Sequence, residues 1–130
     1  MPATALAPEP PPTLVLESND QAPRLARRFV TEQFAEWGIA DDYDARLVVC
    51  ELVTNSFVHG AGPIVLRLLR EHDGRPVVEV EDKGDGRPAI QPEDDATTSG
   101  RGLLLMAQLV RAWGVRPLNK GGKVTWAKLR

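Results

Sequence analysis

The segment Glu51-Leu52-Val53-Thr54-Asn55 places a carboxylate and a carboxamide four residues apart in an otherwise apolar stretch that predicts a helix. At this spacing both side chains lie on one face of the helix. The segment Asp82-Lys83-Gly84-Asp85-Gly86 follows further along the chain, and Gly100-Arg101-Gly102 then precedes a second apolar helical stretch. Three such blocks in this order indicate a nucleotide-binding site.

The composition limits the class of protein. The chain has 130 residues, enough for one domain whose core needs neither disulfides nor a structural metal. It has 16 basic and 18 acidic residues, a formal net charge of −2, and no basic run, so we expect no binding to nucleic acid or to a membrane. Cys50 is the single cysteine, which excludes an intramolecular disulfide and favours a reducing, cytoplasmic setting.

The chain begins with a proline-rich segment. Five prolines among residues 1–12, without a basic stretch or a long apolar core, predict a disordered tail rather than a targeting signal. Residues 13–130 are predicted to form the single domain.

A short strand and a helix are expected at the start of this domain. Residues 13–17 look like a short strand, and residues 18–20 supply N-cap candidates for a helix that continues to about Trp37. Leu25, Phe29 and Trp37 recur at helical spacing, so we expect them to face the core.

The helix that contains Glu51 has its own boundary signals. Asp41 with Asp44 three positions later resembles a capping box in which Asp replaces the usual Glu. The helix is expected to continue to about Val58, and His59-Gly60 to close it.

A β-hairpin is predicted next, with strands over residues 63–72 and 75–81 joined by Asp73-Gly74. The alternation of valine and glutamate in the second strand puts Asp82 on the same face as the valines. A carboxylate at the end of a row that faces the core needs a partner.

The last part of the chain is predicted to contain a loop, a helix and a second hairpin. Residues 84–99 are rich in Gly, Pro, Asp and Thr and have the length of a lid. A helix is expected from Gly102 to about Ala112, followed by strands over residues 115–118 and 124–129. The predicted fold class is therefore an α/β (α+β) two-layer sandwich, with a mixed, largely antiparallel sheet and helices on one face.

Phosphate binding is predicted at the start of the third helix. Gly100, Arg101, Gly102 and Leu103 offer backbone N–H groups at the positive end of a helix dipole, and the glycines leave room for phosphate oxygens. The alternative is that these are flexible residues before a helix, with Arg101 solvated.

Metal binding and catalysis are assigned to the second helix. Asn55 offers a carboxamide oxygen, and Mg²⁺ commonly takes only one or two protein oxygens beside phosphates and water. Glu51, one turn earlier, is a candidate to accept a proton from a hydroxyl group or a water in line with the terminal phosphate. The alternative is that both side chains are solvated.

Base recognition is assigned to the end of the second predicted hairpin strand. Asp82 is a candidate acceptor for the exocyclic amine of adenine, and this contact favours adenine over guanine, which has a carbonyl there. Gly84 and Gly86 would let the ring lie close to the backbone. The alternative is an ordinary turn from strand to loop.

Together, Glu51-x-x-x-Asn55, Asp82-x-Gly84-x-Gly86 and Gly100-x-Gly102 resemble the N, G1 and G2 boxes of the Bergerat-fold (GHKL) ATPase superfamily. Within it, the small size and the sequence from Glu51 to Gly60 look like the bacterial anti-sigma-factor serine/threonine kinases. This resemblance implies a Bergerat ATP-binding fold and makes residues 13–130 an ATP-binding kinase domain.

The resemblance also implies residue roles and partners. Asn55 would hold Mg²⁺, Asp82 would read adenine, the segment from Gly100 to Gly102 would wrap the phosphates of ATP, and Glu51 would activate a serine or threonine hydroxyl. The partners implied are a sigma factor, which the protein sequesters, and a small antagonist protein, which it phosphorylates.

Two features depart from the family pattern. Ser56 stands where the family often has Ala, and Gly121-Gly122-Lys123 is a loose version of its last glycine box. The same segment lacks the spacing of the phosphate loop Gly-x-x-x-x-Gly-Lys-Ser/Thr.

Three hypotheses therefore follow from the sequence. The first is an ATP-dependent kinase that modifies a serine or threonine of a small regulatory protein. The second is a nucleotide-gated module that captures a transcription regulator without transferring phosphate. The third is an interaction domain in which the glycine boxes are only turns. A histidine kinase is disfavoured, because no phosphoacceptor histidine with long dimerisation helices is evident, and a homodimer is left open.

Overall fold

The computed structural model describes residues 10–84 and 106–130. These residues form five strands and two long helices, and residues 106–109 form a further short helical stretch. The bounds are β1 Thr13–Leu16, α1 Ala22–Glu36, α2 Tyr43–His59, β2 Ile64–Arg70, β3 Pro76–Asp82, β4 Val110–Pro117 and β5 Lys123–Leu129.

The five strands form one sheet in the order β1-β2-β3-β5-β4. All four pairings among the described strands are antiparallel. Strand β3 lies at the centre, between its hairpin partner β2 and the last strand of the chain, β5. The predicted two-layer α+β class with a largely antiparallel sheet is confirmed.

The core lies between the two helices and one face of this sheet. Alternate residues of each inner strand face the helices, because successive side chains of a strand point to opposite faces. The helices contribute mainly alanine and valine at spacings of three and four residues. Buried residues of this core include Ala26, Val30, Val48, Val49, Leu52, Ile64, Leu66, Leu68, Val78, Val80 and Ala127.

The opposite face of the sheet carries ion pairs between strands. Arg67 on β2 bonds Glu81 on β3 at 2.8 Å, and Arg116 on β4 lies 3.6 Å from Glu79. The hydrogen bond from Arg67 lowers the pKa of Glu81, against a smaller opposing effect of burial. The predicted alternation of β3 is therefore confirmed, with its glutamates on one face and its valines on the other.

Helix α1 differs from the sequence prediction at its start and on its buried face. Its N-cap is Gln21 rather than any of residues 18–20, although the side chain of Asn19 accepts a hydrogen bond from the Gln21 N–H at 2.9 Å. Leu25 is 40% exposed, so its predicted place in the core is wrong, whereas Phe29 and Trp37 pack against the core. The buried face is instead Ala22, Ala26, Val30 and Phe34.

Helix α2 begins at Tyr43 with Asp42 as its N-cap, so the predicted capping box is wrong. Asp41 accepts a hydrogen bond from the Tyr43 N–H at 3.1 Å, but no side chain caps the helix itself. Asp42 is held by the Thr31 hydroxyl, which lowers its pKa. The predicted end is confirmed, because the helix closes at His59 and Gly60 follows as its C-cap.

The first hairpin agrees with its prediction, and Gly74 in its turn has a φ of +87°. The second hairpin is longer than predicted. Strand β4 begins at Val110, so the expectation of a helix to about Ala112 is wrong at its end. Pairing with β5 over Val110 to Pro117 determines the structure there, because a short apolar segment fits a strand as well as a helix.

Residues 1–9, most of the predicted tail, lie outside the described residues. Pro12, at its end, accepts a hydrogen bond from the Leu68 N–H at 3.1 Å. In the part of the chain that the structure describes, no helix is both long enough and apolar enough to cross a bilayer.

Candidate functional site

Asp82, the last residue of β3, is the centre of a buried polar cluster. The alternation of β3 turns it toward the helices, as predicted, and leaves it only 1% exposed. One carboxylate oxygen, Oδ2, accepts a hydrogen bond from the Ser56 hydroxyl at 2.6 Å. The other, Oδ1, accepts from Lys123 Nζ at 2.8 Å and from the Gly84 N–H at 2.8 Å. The predicted need for a partner is met three times.

Lys123 is the charged partner of Asp82. It is the first residue of β5, lies directly opposite Asp82 in the β3–β5 register, and is 5% exposed. The sequence prediction missed it, although a signal was present. Because Thr125, Ala127 and Leu129 face the core, the residue two positions before Thr125 must face it as well.

Ser56 connects helix α2 to the end of β3. It is buried, and its hydroxyl group gives the shortest hydrogen bond of the cluster, to Asp82. The sequence prediction noted Ser56 only as a departure from the family pattern. The structure gives the hydroxyl group a function that an alanine would lack, because it satisfies a buried carboxylate oxygen.

Three glycines let the backbone close around Asp82. A Cβ atom at Gly60 would lie 2.6 Å from the Asp82 Cγ, and one at Gly84 would lie 2.8 Å from the Gly60 Cα. A Cβ at Gly122, whose φ is +86°, would lie 2.4 Å from the Asp82 carbonyl oxygen. Only Gly84 was assigned to the site from sequence, for its closeness to a ring. In the structure it also donates its N–H to Asp82.

Asn55 stands next to Ser56 on α2 and is 7% exposed. Within residues 10–84 and 106–130, its side chain has no hydrogen-bond partner. Buried carboxamides in folded proteins are nearly always bonded, so this group requires an explanation. An oxygen acceptor held at a fixed place without a protein partner is suited to a ligand or a hard cation such as Mg²⁺.

Glu51 lies one helical turn before Asn55 and is partly buried. Burial raises the pKa of its carboxyl group, because the charged form loses contact with water. A carboxylate with a raised pKa accepts a proton more readily near neutral pH. No ion pair with Glu51 is seen in the described part of the chain.

The other predicted contacts are only partly visible. Gly86 and the predicted phosphate residues Gly100, Arg101, Gly102 and Leu103 lie outside the described residues. Among the residues that are described, no group of three or more His, Cys, Asp or Glu side chains could hold a metal ion. A Mg²⁺ ion at Asn55 would therefore need oxygen ligands from a nucleotide and from water.

The structure brings helix α2 and the Asp82 segment together. The Ser56–Asp82 bond joins the last part of α2 to the end of β3, with Asn55 adjacent and Glu51 one turn away. The arrangement contains a buried carboxylate, an amide without a partner among the described residues and a carboxyl group of raised pKa, which are the kinds of group that a nucleotide site uses.

Comparison with known proteins supports this interpretation. The model of a family described as histidine kinase-like ATPase domain matches residues 16–129. Among solved structures, the histidine kinase domain of the blue-light activated histidine kinase EL346 from Erythrobacter litoralis is similar, with a TM-score of 0.50 and 20% identity. The match covers 66% of this chain and 42% of that one, and at this identity the likeness concerns the fold alone. No curated protein matches the chain.

Proposed function

Because the chain belongs to the histidine kinase-like ATPase domain family, we propose that it binds Mg·ATP and transfers the terminal phosphoryl group to a serine or threonine hydroxyl of a small protein. The observation that carries this proposal is the arrangement on helix α2. Glu51, with a raised pKa, stands one turn from Asn55, whose side chain has no partner among the described residues, and Ser56 joins the same helix to Asp82.

Adenine recognition is assigned to Asp82. An ionised carboxylate has about four acceptor positions. Two on Oδ1 are taken by Lys123 and Gly84, and one on Oδ2 is taken by Ser56, so residues 10–84 and 106–130 leave one position on Oδ2. This position is suited to the exocyclic amine of adenine.

Magnesium binding is assigned to Asn55, whose buried side chain has no partner in the described part of the chain. Once bound, Mg²⁺ would neutralise the charge of the phosphates and so assist transfer. The protein contributes a fixed carboxamide oxygen. The segment from Gly100 to Leu103 is proposed to hold the phosphates through its backbone N–H groups.

Proton removal is assigned to Glu51. As the substrate hydroxyl oxygen forms a bond to the terminal phosphorus, the bond from that phosphorus to the ADP oxygen breaks. The hydroxyl proton passes to the Glu51 carboxylate, and ADP leaves with the electron pair of the broken bond. A raised pKa favours this transfer, because the acceptor is then more basic than an exposed glutamate.

The proposed partners are those of anti-sigma-factor kinases, a sigma factor and a small antagonist protein, in a cytoplasmic setting. Both would contact the nucleotide-bound domain, so they would compete for one surface. Capture of a regulator without phosphotransfer is the alternative outcome of the test, because the binding residues serve both functions.

Binding is tested by calorimetric titration of ATP with and without Mg²⁺. We expect Asp82→Asn to abolish ATP binding and Asn55→Ala to abolish its Mg²⁺ dependence. The exposed Asp20→Asn variant is the matched control and should bind as the wild type does. A folded wild-type protein that binds no ATP would contradict the proposal.

Phosphotransfer is tested by the intact mass of a candidate antagonist protein after incubation with Mg·ATP. We expect the wild type and the exposed control Glu36→Gln to add phosphate, and Glu51→Gln to bind ATP without adding it. Equal transfer by Glu51→Gln would show that another group accepts the proton. ATP binding with no transfer by any form would favour the alternative, a nucleotide-gated binding module.

A further inference from the structure

Lys123 has more hydrogen-bonding capacity than its surroundings use. Its ammonium group carries three N–H donors, and lysine is almost never fully buried unless it is paired. In the described ranges its only acceptor is Asp82 Oδ1, at 2.8 Å, although the side chain is almost inaccessible to water. The part of the chain that the structure describes therefore offers no acceptor to its other two N–H donors.

A purely structural pair explains this arrangement incompletely. Asp82 is already held by the Ser56 hydroxyl and the Gly84 N–H. A buried ion pair adds little net stability, because desolvation of both charges offsets most of their attraction. Lys123 also places its positive charge beside the Asp82 carboxylate, which is proposed to contact the base. This position suggests a second role for Lys123, in recognition of the base.

The pair presents a donor next to an acceptor. The free N–H groups of Lys123 lie beside Oδ1, and the unused acceptor position of Asp82 is on Oδ2 of the same carboxylate. The Watson–Crick edge of adenine has the complementary pattern, with ring atom N1 as an acceptor beside the N6 amine as a donor. Two hydrogen bonds of opposite direction can therefore form side by side.

We propose that Lys123 is a specificity-determining residue that donates a hydrogen bond to N1 of adenine while Asp82 accepts one from the N6 amine. This inference rests on the proposed ATP binding and identifies a second contact to the base. It also changes the expected selectivity. In a 6-oxopurine such as hypoxanthine, O6 accepts from Lys123 and N1–H donates to Asp82, so the lysine weakens the discrimination that an isolated carboxylate would impose.

The test compares ATP with 1-deaza-ATP, in which N1 is replaced by CH, by calorimetry on the wild-type protein. A hydrogen bond from a charged donor predicts that ATP binds at least about tenfold more tightly. Equal affinities would overturn the inference while leaving ATP binding, and hence the proposed function, intact. Absence of ATP binding by the folded protein would instead overturn the proposed function.

Variants identify the donor. Lys123→Met, confirmed as folded by circular dichroism, should bind ATP and 1-deaza-ATP within about twofold of each other. Lys120→Met removes an exposed lysine from the same hairpin and should keep the wild-type ratio. A wild-type ratio in folded Lys123→Met would assign the N1 contact to another group and so refute the role of Lys123.

Inosine triphosphate supplies an independent readout. Lys123→Met removes the donor to O6 of hypoxanthine and leaves this oxygen beside the negatively charged Asp82 carboxylate, which repels it, so the affinity for this nucleotide should fall more than the affinity for ATP. Equal losses for the two nucleotides would contradict recognition of the base edge by Lys123. A merely structural role would lower both affinities together.

Discussion

The buried pair between Asp82 and Lys123 makes a quantitative prediction about stability. In Lys123→Met, the Asp82 carboxylate stays 1% exposed but loses its counter-charge. Removing one partner of a buried ion pair costs about 3–5 kcal/mol. Ser56 and Gly84 still donate to the carboxylate, so we expect the lower end, about 3 kcal/mol. This is a large part of a total free energy of unfolding of roughly 5–15 kcal/mol.

The double variant Asp82→Asn/Lys123→Met separates the charge from the packing. The charges of both side chains are removed, and the Asn side-chain oxygen can still accept from the Gly84 N–H while its NH2 group donates to the Ser56 hydroxyl oxygen. Since the cost of stranding a charge is removed, we expect its free energy of unfolding to lie within about 1 kcal/mol of the wild type. The second substitution should therefore restore most of what Lys123→Met loses.

Urea denaturation followed by circular dichroism at pH 7 measures all forms, with the m-value checked for constancy. Lys120→Met controls for the loss of a lysine elsewhere in the hairpin, since its side chain is exposed and its pair with Glu81 is a surface contact. A loss of less than about 1 kcal/mol of unfolding free energy in Lys123→Met would contradict a buried ion pair, and so would a loss in the double variant equal to the sum of the two single losses.

Three further predictions concern stability around the site. Burial raises the pKa of Glu51 above its ordinary 4.5. The charged carboxylate therefore destabilises the fold at pH values above the folded-state pKa, and this effect is absent below pH 4.5. Glu51→Gln should raise the melting temperature at pH 7, and the difference from the wild type should vanish in acid. Gly122→Ala should lower the free energy of unfolding in urea by on the order of 3 kcal/mol, because its Cβ would meet the Asp82 carbonyl oxygen. Gly74 has a similar φ but no atom near its Cβ position, so Gly74→Ala should lower the free energy of unfolding by only about 1 kcal/mol. Ser56→Ala should cost about 1–3 kcal/mol in the same assay, because a buried acceptor of Asp82 loses its donor, and an unchanged midpoint would contradict this.

Local patterns in the sequence predicted the elements that local physics determines. The Asp73-Gly74 turn and the alternation of β3 fix the first hairpin and the inward direction of Asp82, because turn geometry and a period of two operate within a few residues. The end of α2 at Gly60 followed in the same way. The start of that helix did not, because several Asp residues near Asp41 compete for the cap.

The face of α1 shows how a simple rule failed. The prediction weighted large apolar side chains, so it chose Leu25, whereas the buried row begins with Ala22 and Ala26. Small residues there let α1 pack closely against α2 and the sheet, and no pattern in α1 alone specifies that distance. The error at β4 has a related cause. The predicted strand begins at residue 115, whereas β4 begins at Val110, because pairing with β5 decides where this strand starts.

The partners of Asp82 required knowledge of the sheet order. Lys123 and Ser56 are 41 and 26 residues away in sequence, and each meets Asp82 only because β5 lies beside β3 and α2 packs over their ends. The sequence predicted a partner but could not identify it. The phosphate contacts of Gly100 to Leu103, together with Gly86, stay predictions.

The central position of β3 also bears on how the chain folds. Strands β2 and β3 are neighbours in sequence, as are β4 and β5, so each hairpin can close early at a small entropic cost. The β3–β5 pairing joins the two hairpins across a long stretch of chain and creates the contact between Asp82 and Lys123. A half-formed molecule therefore lacks this cluster, and a nucleotide that needs it would favour the completed topology and slow unfolding.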